Sequence, residues 1–135
     1  MLKHDSVGES VAHLRPKYSQ DFLVERLHDA GTPLYVLSNA PAFLDPWLRG
    51  PGANRHPFLG RFRDYVVSGL VGCCKPEAAI YDLMCRTGGF QPGEAVFIDD
   101  NLPNIQGARA FGMQAIHHRS ADETSATLRA LGLPA

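Results

Sequence analysis

The chain has 135 residues, 44% of them hydrophobic and 20% charged, and a formal net charge of -1. That is the length of one domain, enough to bury a core. A charge so near zero gives no electrostatic case for nucleic acid or an anionic membrane as partner, and no apolar run is long enough to span a bilayer.

The first ten residues, MLKHDSVGES, lack the apolar stretch of a signal peptide. Three cysteines, two of them adjacent, make neither a disulfide framework nor a zinc spacing. A reduced, cytoplasmic setting is therefore the expectation. Residues 19–30 place Phe22, Leu23, Leu27 and Ala30 at helical spacing, and AGTP closes that helix. The continuous apolar run from Leu34 to Leu37 predicts a parallel strand buried on both faces. SNAPAFLDPWL opens a short helix with Pro41 near its first turn. RGPGANRHPFLGRF, rich in Gly and Pro, is expected to be loop. Tyr65–Val67 predicts a short strand. A helix should then start at Pro76 and stop at Gly88-Gly89. Strand 94–98, a helix capped by Asn101 or Asn104 and ending near Gly112, strand MQAIHH and a final helix over 123–131 complete the series. Alternation of this kind argues a doubly wound α/β domain around a parallel sheet.

Ligands of such sheets bind outside the carboxyl ends of the strands. Three polar groups fall on that rim. Ser38 and Asn39 follow the first strand, Lys75 precedes a helix, and Asp99-Asp100 end the run VFIDDN. One Asp or Asn would serve turn chemistry there; two neighbouring acids suit a divalent cation such as Mg²⁺, which is usually held by one or two carboxylates plus phosphate. Side chains alternate along a strand, so one acid would be the inner ligand and its neighbour an outer partner. A hydroxyl, an ammonium and a carboxylate-held cation together suit a phosphoryl group, whose oxygens carry spread negative charge. Such a shared site requires Ser38, Lys75 and the acid pair on one edge; placement on the opposite edge, or burial in the core, is incompatible with it.

LYVLSNAP, VSGLVGCCKPEAAIY and AVFIDDNLPNIQGARAFGMQAI resemble, in order, the second, third and fourth motifs of the haloacid dehalogenase-like hydrolase superfamily. The likeness runs from about residue 15 to the end. It is nearest to the sugar-phosphate phosphatases and to the phosphatase domain of bifunctional epoxide hydrolases. It implies a three-layer Rossmann-like core and a hydrolase acting on a small phosphorylated metabolite with Mg²⁺ as cofactor. Ser38, Asn39 and Lys75 would bind phosphate, with Ser38 and Lys75 also catalytic. Asp99 and Asp100 would be the metal ligands, Asp100 the inner one. The resemblance also implies a first motif, an apolar strand ending in an Asp nucleophile, and none is evident here. Asp5 follows MLKH, and Asp21 and Asp29 fall on the first helix.

The expectation is accordingly a partial core domain over 15–135, with 1–14 a remnant of a cap or linker, as in a fragment of a longer protein. Its sheet would lack the central strand, leaving an open slot through which the chain could self-associate. Two alternatives stand beside the phosphatase: a non-catalytic binding module built on the same fold, and a dehalogenase, whose fourth motif usually lacks paired acids. His117 and His118 are expected to pack at the core or rim, Cys73 and Cys74 to be small loop residues, and Phe43 and Trp47 to face the core.

Overall fold

The computed structural model describes residues 2–3 and 20–135. Five parallel strands form one sheet: β1 (Leu2–Lys3), β2 (Tyr35–Ser38), β3 (Asp64–Val67), β4 (Val96–Asp99) and β5 (Gln114–His117). Their order is β3-β2-β1-β4-β5. Around them lie α1 (Gln20–Asp29), α2 (Leu44–Arg49), α3 (Pro51–Arg55), α4 (Ser68–Val71), α5 (Ala78–Gly88), α6 (Leu102–Phe111) and α7 (Ala121–Ala130).

Strand alternation sorts the apolar residues into two cores, one on each face of the sheet. Val36, Val67, Val96 and Ile98 pack with Leu23, Leu27, Leu48 and Leu128, from α1, α2 and α7. Tyr35, Leu37, Val66 and Phe97 pack on the other face with Ile80, Tyr81, Met84 and Ile105, from α5 and α6. The continuous apolar runs are thus a consequence of burial on both faces. The result is the expected three-layer α/β architecture.

The centre of the sheet corrects one expectation. Leu2 pairs with Tyr35 on one side and Phe97 on the other, and Lys3 pairs with Val36, all in parallel register. The slot expected to be open holds a two-residue strand, so the physical reason for self-association through it is removed. The sequence hides β1 because a strand of two residues has no alternation to detect. Residues 4–19, including Asp5 and most of the segment expected to be cap or linker, lie outside the described residues.

A second correction concerns residues 51–61. This Gly- and Pro-rich stretch forms α3 and a 3-10 turn at Pro57–Arg61 rather than loop. Both begin on a proline, whose fixed φ and missing N–H suit the first helical position. Their buried face carries Phe58 and Leu59 into the first core. SGLV, before the Lys75 segment, is also helical, as the single turn α4.

Candidate functional site

Ser38 is the last residue of β2 and Asp99 the last of β4, so both reach the carboxyl edge of the sheet. Lys75 comes to the same point from the segment between α4 and α5. Its Nζ donates to the Leu37 carbonyl at 3.0 Å and to Asp99 Oδ2 at 3.2 Å. It also sits 5.4 Å from the centre of the Phe97 ring, within range of a cation–π attraction. The structure therefore brings Ser38, Lys75 and Asp99 together where the sequence places them.

Solvent barely reaches this cluster: Ser38 and Asp99 are 0% exposed and Lys75 3%. Burial this complete runs against the expectation for a shared site, although Ser38 and Asp99 end their strands at the carboxyl edge and not the opposite one. Asn39 and Asp100, the next residues along, are exposed and form the outer rim. Burial removes water from the ammonium and pushes Lys75 down to about 7, a cost that the Asp99 carboxylate offsets only in part.

Asp99 is fixed on both oxygens. Oδ1 accepts the Asn101 N–H at 2.9 Å, and Oδ2 accepts Asn104 Nδ2 at 3.1 Å beside Lys75. Asn101 in turn caps α6, its Oδ1 accepting the Asn104 N–H at 3.1 Å. The turn after β4 and the helix it starts are thus built around one buried carboxylate. Tyr81 adds a support from α5, its hydroxyl donating to the Asn104 carbonyl at 2.8 Å.

For a divalent cation these positions divide the labour. Asp99 has its oxygens committed to an ammonium and to amides, whereas Asp100 stands at the exposed edge. Among the described residues no group of three His, Cys, Asp or Glu side chains converges. The donor set therefore fits Mg²⁺ only in the sparse manner the ion accepts, with one or two carboxylates completed by water and phosphate oxygen.

Asn39 uses its carboxamide on the backbone of Lys75. Oδ1 accepts the Lys75 N–H at 2.9 Å and Nδ2 donates to the Lys75 carbonyl at 3.1 Å. Ser68, which the sequence reading did not single out, accepts the Ala40 N–H at 2.9 Å. The remaining polar candidates take structural places. His117 Nε2 lies 2.9 Å from the Asp100 carbonyl, and His118 Nδ1 lies 2.6 Å from Thr124 Oγ1. Cys73 is half-buried against the second core and Cys74 exposed. Trp47 packs on the first core, but Phe43 is 69% exposed, against expectation. It stands at the N-cap of α2, next to Leu44, which is the residue there that enters the core.

Comparison with known proteins gives three relevant likenesses and a family. The profile of the haloacid dehalogenase-like hydrolases matches residues 7–112. The sesquiterpene phosphatase astK of Aspergillus oryzae is 30% identical over 118 residues, covering 87% of this chain and 58% of that protein. A crystal structure of an uncharacterised Corynebacterium glutamicum protein superposes with a TM-score of 0.74 at 23% identity, covering 99% of this chain and 96% of the other. That of a haloacid dehalogenase-type phosphatase from Thermococcus onnurineus does so with a TM-score of 0.59 at 28% identity, covering 68% of this chain and 41% of the other. The chain thus spans little more than half the length of its curated phosphatase relative.

Proposed function

The chain belongs to the haloacid dehalogenase-like hydrolases, and from that premise we propose that it carries the phosphate-handling part of a Mg²⁺-dependent phosphatase for a small phosphorylated metabolite. The observation that carries this reading is the buried Lys75–Asp99 pair beside Ser38 at the carboxyl edge. A cation held in a site of low dielectric acts on a phosphoryl oxygen far more strongly than one in water. In this reading Ser38 donates its hydroxyl to a phosphoryl oxygen. Lys75 offsets the charge of the bound group and is kept in place by Asp99. The Ala40 N–H is already taken by Ser68 and does not serve the anion in this reading. Asp100 would be the principal protein ligand of Mg²⁺, which when bound neutralises phosphoryl charge.

The paired acids favour phosphatase over dehalogenase. Three large apolar residues, Phe43, Leu70 and Leu102, are exposed on segments that follow β2, β3 and β4. In this reading they give the same edge an apolar border. With a sesquiterpene phosphatase among the relatives, a terpenoid monophosphate is the first substrate to offer.

The reading further holds that this chain binds phosphate without turning it over, for want of a recognisable Asp nucleophile. The test is calorimetric titration of the protein with inorganic phosphate in Mg²⁺, followed by assay with p-nitrophenyl phosphate and a terpenoid monophosphate. Expected are phosphate binding that is lost in Ser38→Ala and weakened in Asp100→Asn, and no turnover. Absence of phosphate binding overturns the phosphatase reading. Turnover that vanishes in Asp5→Asn, the first acid after Lys3 in the sequence, shows instead that the chain supplies its own nucleophile.

A further inference from the structure

We infer that Asn39 and Ser68 are positioning residues, two side-chain latches that fix the loop after Ser38 against the segment carrying Lys75. The inference rests on the reading that this edge binds a phosphoryl group, and adds what holds the binding parts in register.

The problem is geometric. Ser38 ends β2 and is placed by the sheet, but Asn39 to Phe43 and Gly72 to Glu77 lie outside any strand or helix. No ladder of backbone hydrogen bonds sets the distance between these two segments. Binding groups for an anion must be held to within about half an ångström to be effective, so something else has to set it.

Two side chains do. The Asn39 carboxamide behaves like a peptide unit in a ladder, accepting from the N–H and donating to the C=O of the same residue, Lys75. That double contact fixes the orientation of the Lys75 backbone as well as its distance. Ser68 makes the matching contact one residue further along. Its Oγ lies 2.9 Å from the Ala40 nitrogen and 3.3 Å from the Ala40 oxygen, accepting from one and donating to the other. The Gly69 N–H adds a 2.9 Å bond to the same carbonyl. The approach is so close that a Cβ on Gly69 would sit 2.6 Å from the Ala42 nitrogen and 2.7 Å from the Ala40 oxygen. Asn39 thus holds the loop to Lys75, and Ser68 holds the next residue to the start of α4, directly after the β2–β3 ladder and seven residues before Lys75. The Lys75 ammonium has its own anchors in Asp99 and Leu37, so the latches bear on where the main chain stands and less on whether the ion pair forms.

The experiment compares wild type, Asn39→Ala, Ser68→Ala and Ser68→Thr for binding of inorganic phosphate in Mg²⁺ by calorimetry, and for exchange of the Lys75 amide by NMR. Each alanine variant should lose about tenfold in phosphate affinity, the scale of one hydrogen bond in a held geometry, while remaining folded. Ser68→Thr, which keeps the hydroxyl, should recover most of it. Asn39→Ala should also release the Lys75 amide to faster exchange. Alanine variants that bind phosphate like wild type, or a threonine variant no better than alanine, overturn the inference. If wild type itself binds no phosphate, the phosphatase reading fails and the latch is judged on exchange alone. An unprotected Lys75 amide in a folded Asn39→Ala then supports it, and an unchanged one overturns it. Should Asn39→Ala not fold, the Ser68 pair carries the same comparison.

Discussion

Lys75 Nζ and Asp99 Oδ2 stand 3.2 Å apart with both side chains wholly withdrawn from solvent. An ion pair in that situation is seldom a net gain over an apolar pair of the same volume, because both charges have lost their water. Breaking it from one side is another matter.

Below pH 7, where Lys75 keeps its proton in the fold, Lys75→Met should destabilise the protein by about 3–5 kcal/mol, because it leaves the Asp99 carboxylate buried without its cation. The double variant Lys75→Met/Asp99→Asn should be much nearer to wild type, since the carboxamide introduced at that position can still accept the Asn101 N–H. Urea unfolding of wild type, the two single variants and the double variant gives the coupling directly. Equal loss in the single and double variants would mean that the pair does not act as a unit.

The same burial gives stability a pH dependence with a definite sign. Lys75 is held down at about 7 in the folded chain against 10.5 for the ordinary group. Between those values the unfolded chain keeps the proton and the folded chain releases it, so stability rises with pH across the window. Below pH 7 both states are protonated and the penalty of the buried charge is felt in full. The urea midpoint of wild type minus that of Lys75→Met/Asp99→Asn should therefore increase from pH 6.5 to pH 9.5. A flat difference would show that Lys75 keeps its proton throughout.

Gly107, in α6, faces the Lys75–Pro76 segment closely. A Cβ there would lie 2.7 Å from the Pro76 Cβ and 2.9 Å from the Pro76 oxygen. Gly107→Ala should therefore cost about 1–3 kcal/mol by overpacking, even though alanine is the better helix former. The expected signature is a lower melting temperature together with shifted Lys75 and Asn39 amide resonances. A more stable Gly107→Ala would mean that the segment yields easily, which would also weaken the case for a latched loop.

These relationships were unequally visible in the sequence. The layered architecture was legible because strands buried on both faces must be apolar without interruption, as Val36-Leu37 and Phe97-Ile98 are. Ser38, Lys75 and Asp99 were legible as neighbours because parallel strands put all their carboxyl ends on one side. Their near-complete burial was not, since it depends on what lies over the strand ends. The helical turns within 51–61 are hidden because Gly and Pro read as breakers, although Pro51 and Pro57 stand where a helix begins. Ser68 was invisible for a different reason. Its partner is the backbone of Ala40, and a hydrogen bond between segments 28 residues apart leaves no period or composition to detect.

The centre of the sheet supplies the last prediction. Without β1, strands β2 and β4 would stand roughly 10 Å apart, twice the spacing of paired strands, with buried N–H and C=O groups unsatisfied. Leu2–Lys3 answers that with one short strand shared between two ladders. The outer ladders, β2 with β3 and β4 with β5, are each four residues long. Fewer paired residues give less resistance to local opening, so exchange should be graded. Amides of β2 and β4 that face β1 should exchange faster than those facing β3 and β5, yet with rates independent of protein concentration. Deleting residues 1–3 should remove that central protection and leave the outer ladders in place. It should also make the chain associate as concentration rises, because an open slot is a template for a strand from another molecule. Hydrogen exchange and sedimentation of both proteins provide the measurement. If central protection survives the deletion in a monomer, then β2 and β4 have closed on each other and the two-residue strand is dispensable. If instead it depends on concentration in the intact chain, the strand filling the slot belongs to a second copy.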